Sequence, residues 1–139
     1  MFFRTPTPTP EDWQEARRLL SEIARLLEVD ERHVQAAKIR TVLRGDQGAL
    51  KKWLTSFGMW GGIGSIPDCA FCGGAGADPV VYKRNSRQFM RLYVQLGRLQ
   101  LKSGMHDGGL WTVGIRPCIR RWVNSFADVL ETSAGDGEA

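Results

Sequence analysis

Apolar residues recur at helical spacing through most of this chain. Trp13, Ala16, Leu20, Ile23 and Leu27 fall on one side of a first helix, with Arg17, Arg18 and Glu22 on the other. Thr9-Pro10-Glu11-Asp12 marks its start. Thr9 suits the cap, Pro10 the first helical position, and two acids complement the positive end of the helix dipole. Asp30-Glu31 reads as the cap of a second helix running through Val34, Ala37 and Val42 to Gly45. Asp46 then starts a short third helix that turns Leu50, Trp53, Leu54 and Phe57 inward.

Residues 84–102 carry the clearest pattern. Phe89, Leu92, Tyr93, Leu96 and Leu99 share an arc of about 120° at 100° per residue. Arg84, Arg87, Arg91, Arg98 and Lys102 share an arc of about 60° on the far side. A last helix begins near Pro117 and takes in Ile119, Trp122, Val123, Phe126 and Leu130. From Gly58 to Pro79 the texture differs, with seven glycines between residues 58 and 76. Each interior glycine costs a helix about 1 kcal/mol against alanine, so this stretch predicts a structured loop, with a short extended piece at Val80–Tyr82.

These elements predict a mainly α fold: a single-domain bundle of four to five helices with a long glycine-rich loop. The domain spans residues 10–131. Residues 1–9 precede it as a mobile segment, because the prolines of Thr5-Pro6-Thr7-Pro8 disfavour helix at the residues before them. Residues 132–139 follow as a disordered acidic tail.

Composition agrees with one domain: 139 residues, 42% hydrophobic and five tryptophans, suffice for a single core. No run reaches the roughly 18 apolar residues that a membrane span needs. The N-terminus lacks the apolar stretch of a secretory signal, and the expected compartment is the cytoplasm. Three cysteines, two of them three residues apart, suit reduced thiols better than a disulfide framework.

Charge changes the picture more. Residues 1–82 hold ten bases and ten acids, whereas residues 83–127 hold nine bases against the single acid Asp107. The last twelve residues carry four acids and no base. A basic second half suggests an acidic partner. The stripe Arg84, Arg87, Arg91, Arg98 and Lys102 is its centre, and Trp60 is a candidate aromatic contact beside it. Arg87/Arg91 and Arg98/Lys102 are like pairs at i,i+4, each unfavourable by a few tenths of a kcal/mol. Acids of the first helices, such as Glu15, Glu22 or Glu28, or an external acidic partner would offset that cost.

Gly61-Gly62-Ile63-Gly64-Ser65-Ile66-Pro67-Asp68 is the other conspicuous segment. It lacks the Gly-Lys-Ser/Thr of a phosphate loop and follows a helix, not a strand, so a tight backbone crossing with Ser65 or Asp68 as caps fits it better. Taken with Arg44-Gly45-Asp46 and Trp53-Leu54-Thr55-Ser56-Phe57, it resembles a family of small bacterial immunity-type proteins from interbacterial toxin systems. The likeness spans residues 30–100. Met59 and Trp60 interrupt the family's pattern before the double glycine, Pro67 departs from it, and Trp111–Leu130 has no counterpart. The resemblance implies a protein that occludes a cognate toxin's site and needs neither a catalytic residue nor a cofactor. The toxin would carry an acidic surface patch. A nucleic-acid-binding module is the alternative that the basic half allows, although no recognised binding motif accompanies it.

Two further constellations are weaker. Cys69 and Cys72 with Cys118 and His106 form a possible zinc set, with irregular spacing. His106 beside Asp107 is a possible base, with Ser103 or Cys118 as nucleophile, and reads better as part of a glycine-rich turn. His33 reads as a surface residue, and Trp60 and Trp111 as parts of an apolar patch for a partner or a second copy.

Overall fold

The computed structural model describes residues 7–61, 64–71, 78–105 and 114–134. Among them the chain forms seven helices and no strand: α1 (Pro10–Val29), α2 (His33–Arg44), α3 (Gln47–Leu54), α4 (Phe57–Trp60), α5 (Ile66–Cys69), α6 (Pro79–Ser103) and α7 (Arg116–Ala134). None is long and apolar enough to cross a membrane.

The mainly helical reading holds, but the helices outnumber the expected four to five because the glycine segment is not all loop. Ser56 accepts from the Met59 amide at 3.2 Å and caps the single turn α4. Pro67 near the start of α5 fixes φ for a second turn, whose Ile66 and Pro67 are buried. Val80–Tyr82 is likewise helical, not extended. The Asp78 carboxylate accepts from the Val80 and Val81 amides at 2.9 and 3.2 Å, and Pro79 takes the first helical position. That cap outweighs the strand preference of two valines.

α1 starts as the sequence requires, with a reciprocal capping box between Thr9 and Asp12. The cap expected for α2 at Asp30-Glu31 does not form. Asp30 ends α1 instead, its carboxylate accepts from the Phe71 amide at 2.8 Å, and Glu31 takes a left-handed φ of 61°. α2 therefore begins at His33, and Ala36 and Ile39 face the core while Val34 and Ala37 are exposed. Phe57, placed inward by the pattern, is 60% exposed because α3 stops at Leu54 and the chain turns before it. α7 continues past Glu131 to Ala134, where the acidic tail was expected to have begun. Residues 1–6 of the expected mobile segment and 135–139 of the tail lie outside the described residues.

α1 packs between α2 and α6, and α6 between α1 and α7. The side chain of Arg17, early in α1, donates to the Leu43 carbonyl at 3.1 Å, so α2 returns antiparallel beside α1. Phe89 lies against Phe126 while Gly97 lies against Ile119 and Val123, so α7 also runs antiparallel to α6. α6 is thus the central helix, and it ends at Gly104 in the left-handed region, φ 69°, which a glycine adopts without strain.

Gly97 sets the distance between α6 and α7. A Cβ there would collide with Val123 Cγ2 and come within 3.2 Å of both Ile119 Cγ2 and the Trp60 ring. Alanine is the better helix former by about 1 kcal/mol, yet overpacking a tight crossing costs about 1–3 kcal/mol. Gly97→Ala is therefore expected to lower the urea midpoint with an unchanged m-value. A rise in midpoint would mean that the two helices are not held in contact there.

Candidate functional site

α6 holds six bases (Lys83, Arg84, Arg87, Arg91, Arg98 and Lys102) and no acid in 25 residues. Its inward face carries Phe89, Leu92, Tyr93 and Leu96, all buried. Arg84, Arg91, Arg98 and Lys102 are exposed on the outward face together with Gln95. Arg87 departs from the predicted stripe: it is only 4% exposed. It stands at the margin of the basic arc, about 60° round from Arg84, and the packed side of the helix takes it in. Four of the five predicted cations are therefore exposed.

The α1 acids expected to balance this face are engaged elsewhere. Glu15 pairs with Arg18 at 2.6 Å, Glu22 with Arg25 at 3.2 Å and Glu28 with Arg40 at 3.0 Å. The hydrogen bond from Arg18 holds the Glu15 carboxyl below its ordinary range. Among the described residues Arg84, Arg98 and Lys102 join no ion pair. The electrostatic offset for the outward face therefore does not come from these acids of α1.

Trp60 is not a surface contact. Its side chain is fully buried, stands edge-on to Tyr93 with ring centroids 5.1 Å apart, and donates from Nε1 to Gln100 Oε1 at 3.0 Å. An indole with its N–H satisfied inside the core has nothing to offer a partner. Its neighbourhood is held by several further hydrogen bonds. Gln100 Nε2 donates to the Leu54 carbonyl at 2.8 Å, and Trp122 Nε1 reaches the Trp60 and Gly61 carbonyls at 3.1 and 3.0 Å. The Tyr93 hydroxyl reaches the Met59 carbonyl at 3.3 Å. Complete burial pushes the Tyr93 phenol well above its ordinary value.

The glycine segment is held by the same device. Ser65 Oγ donates to the Gly61 carbonyl at 2.7 Å, and the Gly64 amide donates to Asp68 Oδ2 at 3.0 Å, with Gly64 at a positive φ of 85°. Gly61, Gly64, Ser65 and Asp68 are thus tied by local hydrogen bonds, but the Ser65 side chain does not cap α5 as expected, because its hydroxyl is engaged with the Gly61 carbonyl; Gly62 lies outside the described residues. Gln100, Tyr93 and Trp122 are the anchors that sequence reasoning missed as a group. One signal was available: Gln100 falls inside the apolar arc of its helix, and a polar residue there needs a buried partner.

Cys69 and Cys118 are partly buried free thiols. Cys72, His106, Asp107 and Trp111 lie outside the described residues. Among the described residues no three metal-donor side chains gather. His33 is exposed at the first position of α2, as its surroundings in the sequence suggest.

No protein family, curated protein or solved structure matches this chain.

Removing the Gln100 carboxamide leaves the Trp60 N–H and the Leu54 carbonyl buried together without it. Gln100→Leu keeps the volume and is expected to cost about 2–4 kcal/mol in urea unfolding. A cost under about 0.5 kcal/mol would mean that this bridge does not hold α3 and α4 to α6.

Proposed function

We propose that this chain is an immunity-type protein that binds a cognate bacterial toxin and occludes its site, docking through the outward face of α6 on an acidic patch and catalysing nothing itself. The observation that carries the reading is the charge of α6: six bases, no acid, and outward Arg84, Arg98 and Lys102 that join no ion pair among the described residues.

Such a helix is costly to keep. Lys83 and Arg84 stand near its N-terminal end, where the dipole disfavours cations, and Arg98 and Lys102 repel one another at i,i+4. An acidic partner surface converts both costs into attraction. It also speeds encounter, since complementary fields raise association rates and suppress wrong partners. Guanidinium groups suit this role because they grip carboxylates with two parallel hydrogen bonds. The resemblance of Arg44-Gly45-Asp46 and Gly61–Asp68 to immunity-type proteins supports the same reading from an independent part of the chain. A toxin that acts on nucleic acid carries a basic surface and calls for an acidic inhibitor, so the partner chemistry here favours a different class of toxin.

The test pairs affinity capture of the tagged, nuclease-treated chain from its host with co-expression of the captured protein. The expected result is one stoichiometric partner, toxic alone and harmless beside this chain. The double reversal Arg84→Glu with Arg98→Glu is expected to abolish protection while leaving thermal stability within about 0.5 kcal/mol, since both side chains are exposed. Full protection by the reversed variant would overturn the docking face. Capture of nucleic acid alone, lost at high salt, would overturn the toxin reading.

A further inference from the structure

Along the outward face of α6, Arg84, Gln88, Arg91, Gln95, Arg98 and Lys102 follow one another at intervals of four, three, four, three and four residues. All are exposed except Gln88, which is half-buried. Six residues on this spacing make a single file about 27 Å long. Because 3.5 falls short of the helix's 3.6 residues per turn, the file drifts about 20° per heptad around the axis. Arg84, Arg91 and Arg98 are each seven residues apart, which sets them about 10.5 Å from one another along the helix.

We propose that this file is a track for one α-helix of the partner protein, with carboxylates at the same four-three spacing. The proposal rests on the binding function above and specifies the partner's element. Another helix is the structure whose own side chains repeat every 10.5 Å, and left-handed packing at about +20° follows the drift of the file. In that arrangement Arg84 and Arg98, two heptads apart, each meet a carboxylate, and Arg91 between them adds its positive charge. The amides of Gln88 and Gln95 lie between the arginines and both donate and accept, so they read the polar positions between successive acids. Val80, 75% exposed and one turn before Arg84, offers an apolar contact at the end of the track.

A nucleic-acid duplex fits the file less well. It carries about one charge per 1.7 Å of its axis and would be served by any dense cluster of cations. Here four cations are spread over the file with neutral amides set between them at regular steps, which a duplex does not require.

Two 28-residue helical peptides of identical composition test the track with the full-length protein, followed by fluorescence anisotropy at low salt. One carries glutamates at four-three spacing along one face; in the other they are scattered around the helix. The aligned peptide is expected to bind at least tenfold more tightly, and that preference should disappear in the Arg84→Gln, Arg98→Gln variant, with its fold checked by circular dichroism. Equal affinity for the two peptides would overturn the track. So would tighter binding of duplex DNA than of the aligned peptide. Neither result by itself decides the toxin reading, which stands or falls on capture of a partner that is toxic alone and harmless beside this chain.

Discussion

The fully buried carboxamide of Gln100 ties the short helices α3 and α4 to α6, and the packing of this region depends on it. Its oxygen takes the Trp60 indole proton and its nitrogen gives one to the Leu54 carbonyl, so a single side chain of α6 holds the end of α3 and the turn of α4. Neither short helix has enough length to be stable alone, since a helix below about 12 residues is marginal in water. They persist because their loose carbonyls are met by buried donors. Trp122 and Tyr93 add theirs from α7 and α6 to the carbonyls of Met59, Trp60 and Gly61. Buried networks of this kind are worth having only when their members are satisfied. The tight approach of α6 to α7 at Gly97 brings Ile119, Val123 and Trp60 together in the same region.

α6 consequently has two different faces. The inward one holds the fold through aromatic packing, with Phe89 and Tyr93 4.8 Å apart and each in turn near Phe126, and through Gln100. The outward one is basic and regularly spaced. Burial of the inward face fixes the helix rotation, so the outward cations are held in register. That preorganisation lowers the ordering cost when a partner docks. It also explains why no catalytic group is needed for the proposed activity: a rigid charged ridge can obstruct a site by occupying it.

Much of this was legible in the residues. α1 begins where Thr9 and Pro10 place it, and the apolar arc of α6 is buried as its periodicity demands. The outward positions of Arg84, Arg91, Arg98 and Lys102 follow from the same arithmetic. The failures have physical causes. Arg87 lies at the edge of an arc, where a one-dimensional pattern does not say which neighbour covers it. Trp60 read as an aromatic contact for a partner, whereas long-range contacts from Gln100, Tyr93 and Trp122 enclose it. Asp30 looked like a helix cap, but a tertiary hydrogen bond to Phe71 claimed it. For Trp60 and Asp30, local propensity lost to a partner tens of residues away.

If the outward face of α6 serves a partner, as proposed, its arginines contribute little to folding. Urea unfolding of the full-length variant Arg84→Gln, Arg98→Gln puts this to the test. Relief of like-charge repulsion predicts a stability equal to the parent or higher by a few tenths of a kcal/mol. A loss of more than about 1 kcal/mol, beyond the range of exposed substitutions, would show that these side chains serve the fold instead and would contradict the account.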